Sequence, residues 1–116
     1  MESILTSTKK MLGIAEDYTA FDLDIITHIN TAFSILTQLG VGPSEGFRIE
    51  DSYATWDDFM SSEDNRFLMV KSYLYAKVRL IFDPPTNSSH LQALKDSVDE
   101  YEWRMNVAAE SKSEEG

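Results

Sequence analysis

Apolar residues recur most regularly along the chain between Phe21 and Pro43. Five of them are spaced by three or four residues: Ile25, Ile29, Phe33, Leu36 and Leu39. This period places them on one side of an α-helix, which is typical of a helix that packs on a protein core. Asp22 or Asp24 is expected to cap its first turn. Gly40 and Pro43 are expected to end it, because glycine tolerates the left-handed cap conformation and proline cannot continue a helix.

Three other segments also follow a helical period. They predict a short helix over Glu2–Leu12, a long helix over Asn65–Asp83 and a final helix over Ser89–Glu110. Pro84 and the proline after it end the long helix abruptly. The apolar residues of the final helix alternate in steps of three and four: Leu91, Leu94, Val98, Tyr101 and Met105. This heptad pattern predicts that the final helix packs on a neighbouring helix.

The segment between the second and third predicted helices carries weaker signals. Phe47–Ile49 has the composition of a brief strand, and Thr55–Met60 resembles a single helical turn with a side-chain cap. Tyr53, Trp56 and Phe59 are three residues apart, which places them on one side of such a turn. These aromatic residues either anchor the segment on the core or form a patch that binds a partner.

Together these elements predict an all-α fold. It is a small helical bundle of about four helices with a long central loop, which contains a short strand or a helical turn. At 116 residues, one domain is large enough to bury a core without disulfides or a structural metal. We expect a single helical domain over residues 1–108, followed by a flexible acidic tail over residues 109–116.

The charge of the chain is strongly acidic, with 20 acidic and 10 basic residues and a formal net charge of −10. Such a chain repels nucleic-acid phosphates overall. The predicted helix over Asn65–Asp83 differs, because its charged side chains before the last residue are all basic: Arg66, Lys71, Lys77 and Arg79. These cations either offset acidic residues of neighbouring helices or pair with an acidic face on another subunit. The acidic candidates are Asp96, Asp99 and Glu102.

Residues that carry common catalytic or metal-binding chemistry are scarce. The chain has no cysteine, so it can form no disulfide, thiolate metal site or cysteine nucleophile. His28 and His90 belong to no metal-binding or catalytic motif, and His28 is expected at the surface or its boundary. No segment approaches the roughly 20 apolar residues that span a bilayer. We therefore expect no enzyme activity, no cofactor and no membrane segment.

Four segments of the chain, taken in their order, carry a resemblance to a known family. They are FDLDIITHINTAFSILTQLGVGP, TWDDF, VKSYLYAKVRLIFDPPTNSSHL and EYEWRMN. In this combination they resemble the small head–tail connector (adaptor) proteins of long-tailed bacteriophages. The resemblance covers nearly the whole chain, from about Ile4 to Asn106. Each segment alone is an ordinary helical pattern, so the combination carries the resemblance.

The resemblance implies a structural virion protein at the head–tail junction, assembled in the bacterial cytoplasm. Connectors of this family form a ring beneath the portal, so a homo-oligomer, expected to be a dodecamer, is implied. The implied partners are the portal protein and a stopper or tail-completion protein, while genomic DNA passes through the lumen without specific binding. The central loop and the last helix are then expected to contact these axial partners. Their candidate residues are Phe47, Tyr53, Trp56, Tyr101, Trp103 and Arg104.

Two other functions remain open at this point. One is an acidic regulatory binding protein of the anti-repressor or DNA-mimic type, which would act as a monomer or dimer on a basic partner. The other is a small DNA-binding or packaging factor, which would need a basic surface on the helix over residues 66–79. The extensive apolar surface of that helix favours burial and argues against DNA binding.

Overall fold

The computed structural model describes residues 2–115, with side chains described for residues 2–108. Residues 2–115 form five α-helices: α1 Ile4–Met11, α2 Asp22–Gln38, α3 Trp56–Phe59, α4 Phe67–Phe82 and α5 Ser88–Glu115. No strand occurs within the described residues. The predicted all-α fold is therefore confirmed. The short helix α3 is the helical turn that the sequence predicts inside the central loop.

The core is arranged around α4. Both α2 and α5 pack on α4, whereas α2 and α5 scarcely touch each other, and α1 packs on α2. The apolar side predicted for α2 supplies a row of buried residues: Ile25, Ile29, Ala32, Phe33 and Leu36. On α5, Val98 and Met105 are buried in the same core. The heptad pattern of the last helix thus correctly predicts that it packs on a neighbour, and this neighbour is α4.

The central loop folds back onto the core. Trp56 at the start of α3 is only 2% exposed, and its ring lies edge-on to Phe67 of α4. The ring centroid of Phe33 on α2 lies 4.7 Å from that of Phe59 and 5.0 Å from that of Phe47. Two of the three predicted loop aromatics therefore anchor the loop. The third, Tyr53, is 85% exposed.

The strand predicted over Phe47–Ile49 is not formed. The side chain of Asn30 on α2 takes the place of a strand partner, because it bonds both backbone groups of Ile49. The backbone N–H of Ile49 donates to Asn30 Oδ1 at 2.8 Å, and Asn30 Nδ2 donates to the Ile49 carbonyl at 2.9 Å. These two bonds satisfy the buried backbone of this residue without a sheet.

The predicted side-chain cap of α2 by Asp22 or Asp24 is not formed, although both carboxylates lie in the first turn, where they suit the positive helix end. Phe21 occupies the N-cap position without a side-chain hydrogen bond. Asp22 instead forms an ion pair with Lys9 of α1, whose Nζ lies 2.9 Å from Oδ1. Lys9 Nζ also donates to the carbonyl of Glu16 at 2.9 Å, and its side chain is only 3% exposed. A buried cation therefore ties α1, the following loop and α2 together.

The last helix is longer than the sequence predicts. The backbone of residues 109–115 belongs to α5, whereas the side chains of these residues and all of Gly116 lie outside the described residues. The flexible acidic tail over 109–116 and the single domain over 1–108 stay predictions.

Candidate subunit and partner interfaces

The basic residues of α4 are engaged inside the subunit. Lys77 Nζ lies 3.7 Å from Glu102 Oε2 on α5, and the hydroxyl of Tyr73 donates to the same oxygen at 2.8 Å. Burial raises the pKa of Tyr73 above its ordinary range, and the hydrogen bond to Glu102 and the charge of Glu102 raise it further. Lys77 and Glu102 thus offset each other across the contact between α4 and α5.

The other cations of this region also have partners within the chain. Arg66 precedes α4 and forms a two-pronged ion pair with Asp64, with Nε at 3.2 Å and Nη2 at 3.0 Å from the two carboxylate oxygens. This hydrogen-bonded pair raises the pKa of Arg66. Lys71 Nζ lies 5.7 Å from the ring centroid of Trp56, within cation–π distance. Arg79 Nη1 lies 3.5 Å from the Tyr75 hydroxyl.

These contacts favour the first explanation of the basic helix, in which its charges are offset within the subunit. They do not test whether the same residues also face a second subunit. The assignment of the basic set Arg66, Lys71, Lys77 and Arg79 to a subunit interface stays a prediction. The same holds for the acidic set of Asp96, Asp99 and Glu102.

The outer face of α5 combines acidic and apolar side chains. Trp103 is 65% exposed and Val107 is also exposed. Both lie across the helix from the buried residues Val98 and Met105, as expected for residues separated by 100° per step. The α5 ridge is defined here as the exposed residues that share this outer side: Asp96, Glu100, Trp103 and Val107.

The charged side chains on and beside the ridge differ in their partners. Asp96 accepts a hydrogen bond of 2.9 Å from Gln92, and Glu100 forms an ion pair of 2.8 Å with Arg104. Asp99 is exposed. Since all these groups face solvent, their ion pairs can exchange for contacts with a partner at little cost.

The predicted axial-contact residues divide into three groups. Trp56 lies in the core, so it positions the loop rather than facing a partner. Phe47 and Tyr101 are half-buried. Tyr53, Trp103 and Arg104 are exposed and can contact another protein directly. Tyr53 lies on the central loop and the other two on α5, so the structure does not bring the six residues together into one site.

A groove along the outer side of α2 escaped the sequence interpretation. It has a volume of about 840 Å³ and lies between residues 27–38 of α2 and the loop segment 45–48. Its α2 side is lined mainly by hydroxyl and amide side chains: Thr27, Asn30, Thr31, Ser34, Thr37 and Gln38. The sequence carried a signal for the uncharged α2 side of this groove only, because residues 25–44 contain no Asp, Glu, Lys or Arg. In so charged a protein, an uncharged helix face indicates a contact surface.

Comparison with known proteins identifies the family. Residues 4–112 match the model of the family described as Phage connector protein. The chain belongs to this family of phage connector proteins. No curated protein and no solved structure matches the chain. The resemblance found in the sequence is thus confirmed at the level of the family, which makes the chain a structural component of a phage virion.

The described part of this connector protein was searched for clusters of metal-ligand side chains and for helices that could span a membrane. No group of three or more His, Cys, Asp or Glu side chains among the described residues could hold a metal ion. No helix within residues 2–115 has the length and apolar character needed to cross a membrane. The absence of enzyme activity stays a prediction that rests on the family.

Proposed function

We propose that this connector protein forms the head–tail connector (adaptor) ring below the portal. The ring, expected to be a dodecamer, extends the DNA channel and docks the stopper or the tail-completion protein. The observation that carries this proposal is the family match over residues 4–112, which spans almost the whole chain.

Exposed apolar side chains support an assembled protein. Leu23, Tyr53, Leu68 and Trp103 are all strongly exposed, and they lie on four different segments. Aromatic side chains such as those of Tyr53 and Trp103 are enriched at protein–protein interfaces. A ring subunit below a portal needs several such surfaces, because it contacts two neighbours and two axial partners.

The charge of the chain supports a channel through which DNA slides. With a net charge of −10 per subunit, a closed ring repels the phosphates of the genome. DNA then experiences no attractive contact that would hold it during ejection. The proposal therefore includes passage of DNA without specific binding.

The axial contacts are assigned to two segments. The central loop over residues 42–62 presents Tyr53, and the last helix over residues 101–115 presents Trp103 and Arg104. We assign the last helix to the portal side, and the loop to the next ring or to a neighbouring subunit. The acidic regulatory binding protein is the competing function.

Assembly with the portal tests the proposal. The purified protein is analysed by native mass spectrometry and negative-stain microscopy, alone and mixed with the portal of the same phage. The portal of an unrelated phage serves as the control. A closed ring, or a monomer that becomes a ring only on its own portal, is expected. A monomer that ignores both portals would overturn the proposal and favour the regulatory binding protein.

A further inference from the structure

We infer that the surface where the loop between α1 and α2 meets the end of α4 binds a cationic segment of another virion protein. This segment carries arginine or lysine side chains next to apolar ones. The surface, called the aromatic–acidic patch, consists of three aromatic residues and three carboxylates: Tyr18, Phe21, Phe82, Asp17, Asp24 and Asp83. It shares no residue with the central loop over 42–62 or the last helix over 101–115. The inference therefore adds a contact to those of the proposed function.

The aromatic residues of the patch form a continuous row at the surface. The ring centroid of Phe21 lies 5.6 Å from that of Tyr18 and 5.4 Å from that of Phe82. Tyr18 and Phe21 are nevertheless 50% and 42% exposed, and Leu23, two residues further along, is 80% exposed. The fold thus holds these rings together without covering them. Aromatic side chains are enriched at protein–protein interfaces, and their rings attract cations.

The patch is fixed within the single subunit. Phe21 occupies the N-cap position of α2, and Phe82 is the last residue of α4, which packs on α2. The buried Lys9 holds the loop that carries Tyr18, because its Nζ donates to the carbonyl of Glu16 at 2.9 Å. A surface that is ordered before binding is occupied at a lower entropic cost than a flexible one.

The carboxylates of the patch give it a local excess of negative charge. Each is exposed and lies within three residues of one of the rings in the sequence, and none forms an ion pair within the described residues. No lysine or arginine occurs between Lys10 and Arg48. Arg79, one turn before Asp83, lies against Tyr75, with Nη1 3.5 Å from the hydroxyl. The positive end of α2 and the negative end of α4 lie side by side and offset each other, so the carboxylates decide the sign.

The occupant follows from this combination of charge and apolar surface. Carboxylates around aromatic rings complement arginine or lysine side chains, whose charge pairs with the carboxylates while their aliphatic stems cover the rings. The same carboxylates repel nucleic-acid phosphates. A second copy of this chain offers no such segment within the described residues, because its exposed cations are isolated in the sequence: Lys10, Arg48, Lys95 and Arg104. The occupant is therefore a different protein.

Fluorescence anisotropy with a labelled hexapeptide of alternating arginine and leucine tests the recognition. The full-length protein should bind this peptide. A hexapeptide of alternating arginine and serine should bind at least about threefold more weakly, because it lacks the apolar contacts. Equal binding of the two peptides would show that net charge alone attracts them, and would overturn the inference.

Matched substitutions locate the peptide on the protein. Asp17→Asn combined with Asp24→Asn should weaken binding of the arginine–leucine peptide by about three- to tenfold, the range of two exposed ion pairs. Asp57→Asn combined with Glu63→Gln removes the same charge at exposed positions beside the start of α4. These positions are about 24 Å from the end of that helix, so this control should change binding by less than about twofold. Equal losses in the two double variants would place the peptide elsewhere and count against the patch.

The contribution of the rings has its own matched pair. Tyr18→Ala should weaken peptide binding by about two- to fivefold, the range of an exposed cation–π contact. Tyr53→Ala makes the same change at another exposed tyrosine and should have no effect. Circular dichroism is expected to be unchanged for both variants. If both bind the peptide like the unmodified chain, the rings take no part and the inference fails.

Photo-cross-linking in assembled virions identifies the occupant. The full-length chain carries p-benzoylphenylalanine in place of Tyr18, and mass spectrometry determines the cross-linked segment. A segment of another virion protein that contains arginine or lysine is expected. Cross-links only to this chain, to a segment without these residues, or to nothing, in virions that retain the ring, would overturn the inference and leave the proposed function standing. The expected cross-link in virions without a ring would support the inference and count against the proposed function.

Discussion

The indole Nε1 of Trp56 donates a hydrogen bond of 3.0 Å to the hydroxyl of Ser7, 49 residues away in the sequence. Both side chains are buried. The backbone supports the same junction, because the N–H of Ile4 donates to the carbonyl of Ala54 at 3.0 Å. The N-terminal helix is thus attached to the central loop, and the loop to the core. A substitution that breaks these hydrogen bonds should therefore destabilise the central loop and α1 together.

Replacement of Ser7 tests the strength of this junction. Ser7→Ala removes the acceptor and leaves a buried indole N–H without a partner, which should lower the free energy of unfolding by about 1–3 kcal/mol. Urea denaturation followed by fluorescence measures this change. Ser52→Ala, at an exposed loop position, is the control and should leave the denaturation midpoint unchanged. Equal midpoints for the two variants would show that the hydrogen bond contributes nothing.

Tyr73 should make the stability of the protein depend on alkaline pH. Its pKa in the folded chain lies above the ordinary value of 10.0. Above that pH the unfolded chain loses the phenolic proton while the folded chain keeps it. The unfolded state then binds fewer protons, so stability falls as the pH rises. Below the ordinary pKa both states hold the proton and the contribution is fully present.

Tyr73→Phe should therefore make the free energy of unfolding depend less on pH in the alkaline range. At neutral pH the variant's free energy of unfolding should be lower by about 1.5–3 kcal/mol, because it lacks the hydrogen bond to the charged Glu102. Between about pH 9 and about pH 11 its stability should fall less steeply than that of the unmodified chain, by up to about 1.4 kcal/mol per pH unit. Urea denaturation across this range measures the difference. Tyr53→Phe, at an exposed position, should retain the slope of the unmodified chain.

Helix positions were predictable because they depend on local periodicity. The α2 and α5 patterns are repeated over several turns, and each repeat adds independent support for a buried side. The turn at α3 was also predictable, since Thr55 and Asp58 form the reciprocal capping box that their spacing indicates. These signals need no knowledge of distant parts of the chain.

The features that escaped prediction depend on residues far apart in sequence. Asn30 and Ile49 are 19 positions apart, so nothing local showed that an amide side chain would replace a strand partner. Lys9 lies in the last turn of α1, where a cation at the surface is favourable. The fold instead buries it against Asp22. Likewise the α2 groove exists only because segment 45–48 returns to lie beside α2.

The ion pair between Lys9 and Asp22 predicts a large effect from a single substitution. Lys9→Met removes a buried cation and leaves Asp22 without its partner, while Asp22 retains partial exposure to water. We expect a loss of about 3 kcal/mol, the lower end for a broken buried pair. Thermal and urea denaturation measure it. The neighbour Lys10 is exposed, so Lys10→Met is a matched control with the same chemical change.

The double variant Lys9→Met with Asp22→Leu separates charge from packing. If the loss in Lys9→Met comes from the uncompensated carboxylate, the double variant should recover most of the stability, because neither charge is then left without a partner. Failure to recover would show that the bond from Lys9 to the Glu16 carbonyl is the more important contact.

Gly42 should be far less tolerant of a side chain than Gly13. Both adopt positive φ, +87° and +80° respectively, so alanine at either position costs about 1–2 kcal/mol of backbone strain. At Gly42 a Cβ would also clash with the ring of Phe59, whereas at Gly13 it meets nothing within 4 Å. Because Phe59 is packed on Phe33, its ring cannot move without opening the core. Gly42→Ala should therefore be destabilised by about 1–3 kcal/mol more than Gly13→Ala in urea denaturation, as overpacking predicts. Equal losses in the two variants would mean that the loop shifts freely, and the α2 groove beside it could not then be preformed.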